Sequence, residues 1–411
     1  MREYIVLRDL QGPATTEPFG GGARTRSRGR GGGLESAAEV APPELRVETE
    51  RLDKNDVRDI ARDPEVTAIA PPMPTRLIEP VKLKGGRRAG AGAAAAGDAW
   101  GVAAVGANVS GFSGAGVVVS VLDTGIDASH PAFAGVTLTQ MDFSGSGDGD
   151  VQGHGTHCAG TVFGRDVGGA RIGVARGVAT ALIGKVLGDD GGGSSDMLFR
   201  GIQWAMQGGA NVISMSLGFD FPGMVKGLVA DGWPADLATS RALEAYRANL
   251  RMFDALMGLV KAQEAFGPGV VVVAAAGNES ERQQDPDYEI AVSLPAAAEG
   301  VVSVGAVGQD TGVAGKLSIA VFSNTFPQIS APGVGIKSAK VGGGTRDLNG
   351  TSMACPHVAG VAALWWEAIR STPVPATART VLAKLLATAR TDVFSPNVDV
   401  ADRGVGLAKA P

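Results

Sequence analysis

Five short, mostly apolar runs alternate with segments of helical periodicity, and this alternation limits the possible folds more than any other feature of the chain. The runs occupy residues 117–123, 181–187, 211–217, 270–276 and 301–307. Runs rich in valine, isoleucine and leucine are typical of strands buried on both faces, and strands alternating with helices are typical of a parallel sheet. We therefore predict an α/β fold, a three-layer sandwich with a mainly parallel sheet.

Two of the predicted strands lead into polar residues. Asp123 ends the first run, and Asn278 follows the fourth run after a single glycine. In open parallel sheets, functional side chains gather just beyond the carboxyl ends of the strands. An aspartate there can orient a histidine, and an asparagine amide can donate a hydrogen bond to an oxyanion. Taken alone, each residue is better explained as part of a turn.

A histidine and a serine lie at predicted helix starts among small residues. His154 lies between two glycines, and a helix N-terminus disfavours its charged form. Ser352 precedes Pro356, which we expect in a first helical turn, so the backbone N–H of Ser352 can face an oxyanion. A serine hydroxyl needs a base and an orienting acid to act as a nucleophile. The alternative for Ser352 is a helix cap.

These segments together resemble the signature blocks of the subtilisin-like serine peptidases (subtilases, family S8). The blocks are Asp123–Pro131, His154–Thr161, Ala275–Asn278 and Gly350–Gly360. The order Asp, His, Ser along the chain is that of subtilisin. The resemblance covers about residues 100–411, and it implies that Asp123 orients His154, that His154 is the base, that Ser352 is the nucleophile and that Asn278 donates to the oxyanion.

Residues 1–80 are predicted to form a separate small α+β domain. Residues 4–7, 45–48 and 66–71 have strand character, and 53–61 is a capped helix, whereas 11–44 is rich in glycine and arginine and is expected to be flexible. The stretch 45–71 resembles the inhibitor I9-like propeptide of subtilases. This resemblance implies an intramolecular inhibitor that is removed from the catalytic domain, residues 99–411.

Residues 81–98 are interpreted as a linker with a processing site. Cleavage is expected within 78–98, and the pair Arg87-Arg88 is one candidate. The arginines within 24–30 have no interleaved aromatic residues for stacking on bases, so we do not expect them to bind RNA.

Three groups of small residues are expected to hold substrate, because they match the family's substrate walls. They are Gly191, Gly192 and Gly193; Ser216, Leu217 and Gly218; and Ala275, Ala276 and Gly277. Such a pocket should accept a large apolar side chain just before the scissile bond. An acid from the loop 279–289 at the pocket floor would favour lysine or arginine instead, and a solvated loop is the preferred interpretation.

An insertion at about 219–268 begins beside the predicted substrate wall. Residues 240–266 have the periodicity of one long amphipathic helix, and 219–224 are interpreted as an apolar loop. The insertion can shape the cleft, or it can be a surface helix without a role in selectivity.

The two cysteines, Cys158 and Cys355, are interpreted as buried packing residues, although a disulfide between them stays open. A bulky reagent on either thiol is expected to displace the nearby His154 or Ser352. His157 is interpreted as a packed helix residue.

The remaining expectations concern partners and ions. The net charge of −5 argues against nucleic acid, no stretch is long and apolar enough for a membrane span, and no secretion signal is evident. A cytoplasmic location is therefore predicted, with secretion as the alternative. No cofactor is required and no metal ligand is assigned. Structural Ca²⁺ is possible, although the loop 164–170 offers one carboxylate, and Asp148 and Asp150 are further candidates.

The leading functional prediction is a serine endopeptidase that acts on polypeptides through an acyl-enzyme and is made as a self-processing zymogen. One alternative is a peptide ligase or macrocyclase that uses the same acyl-enzyme. A second alternative, from another class, is a catalytically silent binding protein.

Overall fold

A computed structural model describes residues 1–11, 42–82 and 97–411 of the chain. Three expectations lie outside these residues: the arginines within 24–30, the pair Arg87-Arg88, and most of the segments interpreted as a flexible region and a linker. Among the described helices, none is both long enough and apolar enough to cross a membrane.

The described residues form strands and helices throughout both the N-terminal region and the larger part of the chain. The strands are β1 (Arg2–Asp9), β2 (Leu45–Leu52), β3 (Val66–Ala70), β4 (Pro74–Leu77), β5 (Gly97–Asp98), β6 (Val118–Asp123), β7 (Thr137–Asp142), β8 (Ala170–Arg171), β9 (Thr180–Lys185), β10 (Gly192–Ser194), β11 (Val212–Met215), β12 (Leu217–Phe219), β13 (Val271–Ala275), β14 (Val302–Gln309), β15 (Leu317–Ile319), β16 (Ile329–Pro332), β17 (Ile336–Ala339) and β18 (Thr345–Leu348). The helices are α1 (Lys54–Ile60), α2 (Trp100–Ala104), α3 (His154–Phe163), α4 (Ser195–Gln207), α5 (Phe221–Ala230), α6 (Ala235–Gln263), α7 (Thr351–Arg370), α8 (Ala378–Ala387) and α9 (Val400–Arg403).

The central sheet has the order β15-β14-β13-β11-β6-β9-β7, with β16 also paired to β14. All of its pairs are parallel except that between β14 and β15. Successive residues of β6 face opposite layers: Val121 packs in the core with α3 and α7, and Leu122 packs in the core with α4 and α6. The predicted three-layer α/β fold with a mainly parallel sheet is confirmed.

The insertion differs from its prediction at its first residues. The segment 219–224, interpreted as a loop, contains the end of β12 and the start of α5, and the long helix α6 begins at Ala235, earlier than expected. Asp220 caps α5 by accepting a hydrogen bond from the Gly223 N–H at 2.9 Å, and Pro222 lies in the first turn, where its missing N–H costs nothing. The loop interpretation was wrong: Asp220, Pro222 and Gly223, residue types that are common in turns, here form the start of a helix.

Pro356 also lies elsewhere than expected, in the second turn of α7. Since proline has no N–H, the carbonyl of Ser352 loses its normal helical donor. That carbonyl instead accepts hydrogen bonds from Ser216 Oγ at 3.1 Å and Cys158 Sγ at 3.4 Å. Side chains from two other elements therefore replace the missing donor and tie the start of α7 to its neighbours.

The N-terminal residues form an antiparallel sheet of order β2-β1-β3, which packs on α4 and α6. Val47 N donates to Gln203 Oε1 at 2.8 Å, and the buried Asn249 of α6 donates from Nδ2 to the Pro71 carbonyl at 2.9 Å. The chain then continues as β4, which lies between β10 and β12 of the larger part. That residues 1–80 constitute a propeptide-like domain stays a prediction.

Two histidines of the core are buried and neutral. Burial is the main cause that lowers the pKa of His157 to about 3, with repulsion from His154 and Arg346 adding to it. Burial likewise lowers the pKa of His357 to about 4, although its Nδ1 donates to the Met353 carbonyl at 2.7 Å. Both imidazoles thus resist protonation as long as the chain is folded.

We expect the unfolding free energy to fall as the pH drops below about 6.5, the ordinary histidine pKa. The unfolded imidazoles take up protons there, whereas the folded ones do not until about pH 4 for His357 and about pH 3 for His157. Each histidine contributes a slope of at most about 1.4 kcal/mol per pH unit. Urea unfolding of a Ser352→Ala chain between pH 7.5 and 4.5 measures this slope.

The matched variant is His357→Gln, whose amide can still donate to the Met353 carbonyl but cannot titrate. Its unfolding free energy should fall less steeply between pH 6.5 and 4.5, by the contribution of one histidine, which is at most about 1.4 kcal/mol per pH unit. Equal slopes in the two chains would contradict the assignment of a neutral, buried His357.

Candidate active site

The ends of β6, α3 and α7 meet at one edge of the central sheet. Asp123 is the last residue of β6, His154 is the first residue of α3, and Ser352 is the second residue of α7. All three side chains are fully buried. Together with Asn278, which follows β13, these are the four residues that the sequence assigned to catalysis, and the structure brings them to the same edge.

The Asp123 carboxylate and the His154 imidazole share a hydrogen bond of 2.8 Å between Oδ1 and Nδ1. A carboxylate can only accept, so Nδ1 carries the proton and Nε2 keeps a free lone pair. Asp123 Oδ1 also accepts from the Thr124 N–H at 2.8 Å, which fixes the carboxylate. Within the described parts of the chain, His154 Nε2 has no hydrogen-bond partner. The arrangement orients the imidazole, with Nε2 on the side away from Asp123.

The close approach of α3 to the turn after β6 depends on Gly155. A Cβ atom at this position would lie 2.2 Å from the Gly125 carbonyl oxygen, so only glycine fits. Gly153, just before the helix, has a φ of +85°, which disfavours any other residue. These two glycines therefore allow His154 to reach Asp123.

Asp150 holds the start of α3 in place, a role that the sequence did not reveal. Its buried carboxylate accepts from Thr124 Oγ1 and Gly153 N through Oδ1, and from Thr156 N and Oγ1 through Oδ2, at 2.6–2.9 Å. Sequence reasoning considered Asp150 as a calcium ligand, but these donors occupy both of its oxygens. The sequence feature that could have predicted this role is the position of Asp150, three residues before Gly153, the glycine that precedes α3.

Asn278 faces the start of α7. Its Oδ1 accepts from the N–H and from the Oγ1 of Thr351, each at 2.9 Å, which leaves Nδ2 pointing into the cleft. Nδ2 donates to the carbonyl of Glu79 at 3.0 Å. The amide is thus positioned by the helix that carries Ser352, and its donor contacts a backbone carbonyl of the chain's own N-terminal region.

The two predicted substrate walls enclose β4. On one side Gly192 pairs with Arg76 and Gly193 with Thr75, and Leu77 N donates to the Gly191 carbonyl at 2.8 Å. A Cβ atom at Gly193 would lie 2.8 Å from Thr75 Oγ1, so glycine is needed for this approach.

On the other side, Leu217 pairs with Leu77 and Gly218 pairs with Arg76. The cleft between the two walls therefore holds an extended strand of the chain itself.

Ile78 follows β4 and lies next to the nucleophile candidate. Ser352 Oγ is 3.3 Å from the Ile78 carbonyl oxygen and 3.4 Å from the Ser216 carbonyl oxygen. The Ile78 side chain is 4% exposed and packs in the same core as Ala275, while a Cβ at Gly218 would lie 3.5 Å from Ile78 Cγ1. The Ile78 side chain thus occupies the pocket that the sequence predicts between these small residues.

The backbones of Ala276 and Gly277 are held by side chains of other elements. The Ala276 carbonyl accepts from Asn324 Nδ2 at 3.2 Å, and Gly277 N donates to Thr351 Oγ1 at 3.2 Å. Glu279, the first acid of the loop 279–289, accepts from Asn324 Nδ2 at 2.8 Å. Its other oxygen lies 4.0 Å from Arg76 Nη2. Glu279 therefore contacts Asn324 and Arg76, and neither contact places its carboxylate at the floor of the apolar pocket.

Both cysteines are free and fully buried. Cys158 Sγ lies 3.7 Å from His154 Nδ1, and Cys355 Sγ lies 3.5 Å from Ser214 Oγ. Burial raises the pKa of Cys158 well above its ordinary value and the pKa of Cys355 to about 11. The donor atoms of Asp123, His154 and Cys158 lie within 4.8 Å of one another, so a thiophilic ion entering the site would compete with the Asp–His hydrogen bond.

Comparisons with known proteins agree with this geometry. The model of the subtilase family (peptidase S8) matches residues 114–406. Subtilisin DY of Bacillus licheniformis is 34% identical over 254 residues, which cover 62% of this chain and 78% of that protein. A cuticle-degrading serine protease of Arthrobotrys oligospora is 33% identical over 275 residues, which cover 64% of this chain and 55% of that protein.

A third relative is subtilisin-like protease 1 of Trichophyton verrucosum, which is 31% identical over 330 residues. These residues cover 76% of this chain and 67% of that protein. The chain therefore spans little more than half the length of the cuticle-degrading protease and larger shares of the other two.

We expect Gly155→Ala to lower the unfolding free energy by about 1–3 kcal/mol, because the new methyl group meets a backbone oxygen that cannot move freely. The matched control is Gly227→Ala in the exposed helix α5, where no atom lies within 4 Å of the new Cβ. Alanine favours a helix, so the control should gain up to about 1 kcal/mol. Urea unfolding measures both, in the Ser352→Ala background; a neutral Gly155→Ala would contradict the close approach.

We also expect mercuric ion to block Ser352, because a metal atom on Cys158 displaces the imidazole 3.7 Å away. The rate of Ser352 labelling by a fluorophosphonate measures the effect, and labelling of Cys158 should be slow, since its raised pKa leaves little thiolate. The Cys158→Ala chain should lose the part of the inhibition that comes from the imidazole, and the chain that lacks both Cys158 and Cys355 should resist the ion. Unchanged Ser352 reactivity with mercury on both thiols, verified by mass, would contradict this expectation.

Proposed function

Because the chain belongs to the subtilase family, we propose that it is a serine-type endopeptidase that hydrolyses peptide bonds through Asp123, His154 and Ser352. The observation that carries the proposal is the buried Asp123–His154 hydrogen bond beside Ser352, in a cleft whose walls pair with an extended peptide. An extended strand held by backbone pairing is the form in which a peptidase presents a bond for attack.

In the proposed mechanism, His154 Nε2 takes the proton from Ser352 Oγ as Oγ attacks the carbonyl carbon of the substrate. Asp123 keeps the proton of His154 on Nδ1 and stabilises the imidazolium that forms. Asn278 Nδ2 and the Ser352 N–H donate hydrogen bonds to the oxyanion. His154 then gives its proton to the leaving amine, and water hydrolyses the acyl-enzyme by the same steps. No step requires a cofactor, and structural Ca²⁺ stays a prediction.

We further propose that the chain is a zymogen that cleaves itself between Ile78 and Glu79. The Ile78 carbonyl oxygen lies 3.3 Å from Ser352 Oγ, and the Ile78 side chain packs in the same core as Ala275. Asn278 Nδ2 contacts the next carbonyl, that of Glu79, so attack requires the Ile78 carbonyl to turn toward this donor. This bond lies at the N-terminal limit of the segment 78–98 expected from sequence. Residues 1–78 would then remain in the cleft as an intramolecular inhibitor until they dissociate.

The first test compares the intact masses of the full chain and its Ser352→Ala variant over time. The unaltered chain should lose its first 78 residues and acquire Glu79 as its N-terminus, because only that chain has the nucleophile. The Ser352→Ala chain should keep its full mass. N-terminal sequencing distinguishes this cut from one at Arg87-Arg88.

A mature protein that still begins at Met1 would contradict processing. If neither chain is cut and Ser352 also resists a fluorophosphonate, the catalytically silent binding protein takes the place of the peptidase. The ligase or macrocyclase alternative predicts products joined through a new peptide bond, so the masses of the products formed from an added peptide separate it from hydrolysis.

The proposed partners are polypeptide substrates and the chain's own N-terminal region. The cytoplasmic location, its secreted alternative and the expectation that nucleic acid is not a partner stay predictions.

A further inference from the structure

The side chains of β4 alternate between buried and exposed positions. Thr75 and Leu77 are each 2% exposed, whereas Arg76 between them points out of the cleft and its side chain is 49% exposed. Under the proposed cleavage after Ile78, Arg76 is the third residue before the scissile bond. The groups around its guanidinium are therefore those that would contact the third residue before the cleaved bond in a substrate.

Two carboxylates lie next to this guanidinium. Asp220 Oδ1 lies 3.7 Å from Arg76 Nη1, and Glu279 Oε1 lies 4.0 Å from Arg76 Nη2. Asp220 directly follows β12 at the start of the insertion, and Glu279 directly follows the oxyanion donor Asn278. Among the residues that the structure describes, Arg76 is the one cation within 4 Å of either acid.

Bonds that do not involve Arg76 hold both acids in place. Asp220 Oδ1 accepts from the Gly223 N–H at 2.9 Å, the hydrogen bond that caps α5. Glu279 Oε2 accepts from Asn324 Nδ2 at 2.8 Å. The side chains of Asp220 and Glu279 are 20% and 38% exposed, so solvent screens them only in part. The acids are therefore preorganised when a substrate replaces β4.

We propose that Asp220 and Glu279 form a selectivity site for a basic side chain at the third position before the cleaved bond. The site makes the enzyme prefer peptides with arginine or lysine there, in addition to a large apolar residue next to the bond. This inference rests on the proposed peptidase function. It also gives the insertion, which supplies Asp220, a direct role in substrate choice.

The size of the preference follows from the exposure of the pair. Partly exposed ion pairs are weak individually, and two of them together correspond to about a three- to tenfold difference in kcat/KM between arginine and glutamine. Salt screens such pairs, so the preference should shrink between 0.05 and 0.5 M NaCl, values that span Debye lengths of roughly 14 to 4 Å. Glutamate at the same position should be cleaved more slowly than glutamine.

The test uses the self-processed enzyme and fluorogenic peptides that copy residues 74–79, with arginine, glutamine or glutamate in the place of Arg76. The variants are Asp220→Asn, Glu279→Gln and the double variant. Asparagine can still cap α5, and glutamine can still accept from Asn324, so these changes remove charge and keep structure. The control is Asp287→Asn, in the exposed part of the loop 279–289.

The expected order of kcat/KM is arginine, glutamine, glutamate for the unaltered enzyme and for Asp287→Asn. In the double variant the ratio of arginine to glutamine should approach one, with cleavage of the glutamine peptide unchanged. Equal cleavage of the three peptides by the unaltered enzyme, or a preference that survives in the double variant, overturns the selectivity site alone. A chain that neither processes itself nor cleaves any of the peptides overturns the peptidase function and the selectivity site with it, whereas a chain that processes itself but cleaves none of the three peptides overturns the selectivity site alone.

Discussion

The hydrogen bond between Asp123 and His154 is the contact on which the rest of the site depends. Both side chains are completely buried, so the Asp123 carboxylate depends on the two donors to its Oδ1, which are His154 Nδ1 and the Thr124 N–H; its Oδ2 has no partner among the described residues. The glycines that let α3 approach and the Asp150 carboxylate that fixes the helix start hold His154 in this contact. The base is thus oriented before any substrate arrives.

The parts of the structure that were predictable from sequence are those determined by local patterns. The strand ends at Asp123 and before Asn278, and the helix starts at His154 and Ser352, follow from apolar runs and small residues within about ten positions. The parts that were missed need distant partners. The second-turn position of Pro356 is acceptable only because Ser216 and Cys158 supply donors from elsewhere in the chain. The loop predicted at 219–224 became helix because Asp220 provides a cap that resembles turn chemistry.

The strand in the cleft was the hardest feature to predict. β4 pairs with β10 and β12, which lie more than a hundred positions away, and a short strand carries no signal for a partner so distant. The register of this pairing decides which bond lies beside Ser352. The sequence predicts only that cleavage falls within 78–98, with Arg87-Arg88 as one candidate, because register is a property of the assembled sheet and has no local signal.

The slot between β10 and β12 is one strand wide, so under the proposed peptidase function its geometry limits which proteins can be degraded. Neighbouring strands lie about 4.8 Å apart, which leaves roughly 10 Å between the two walls. A helix has a diameter with side chains of at least about 10 Å and offers no free backbone for pairing, so it cannot enter. A strand that is already paired in a sheet cannot enter either, because both of its edges must be free to pair with the two walls. A folded protein must therefore release several residues as an extended segment before it can be cut. Its lifetime in the presence of this enzyme would then follow the free energy of local unfolding of its weakest loop rather than the number of matching sequences that it contains.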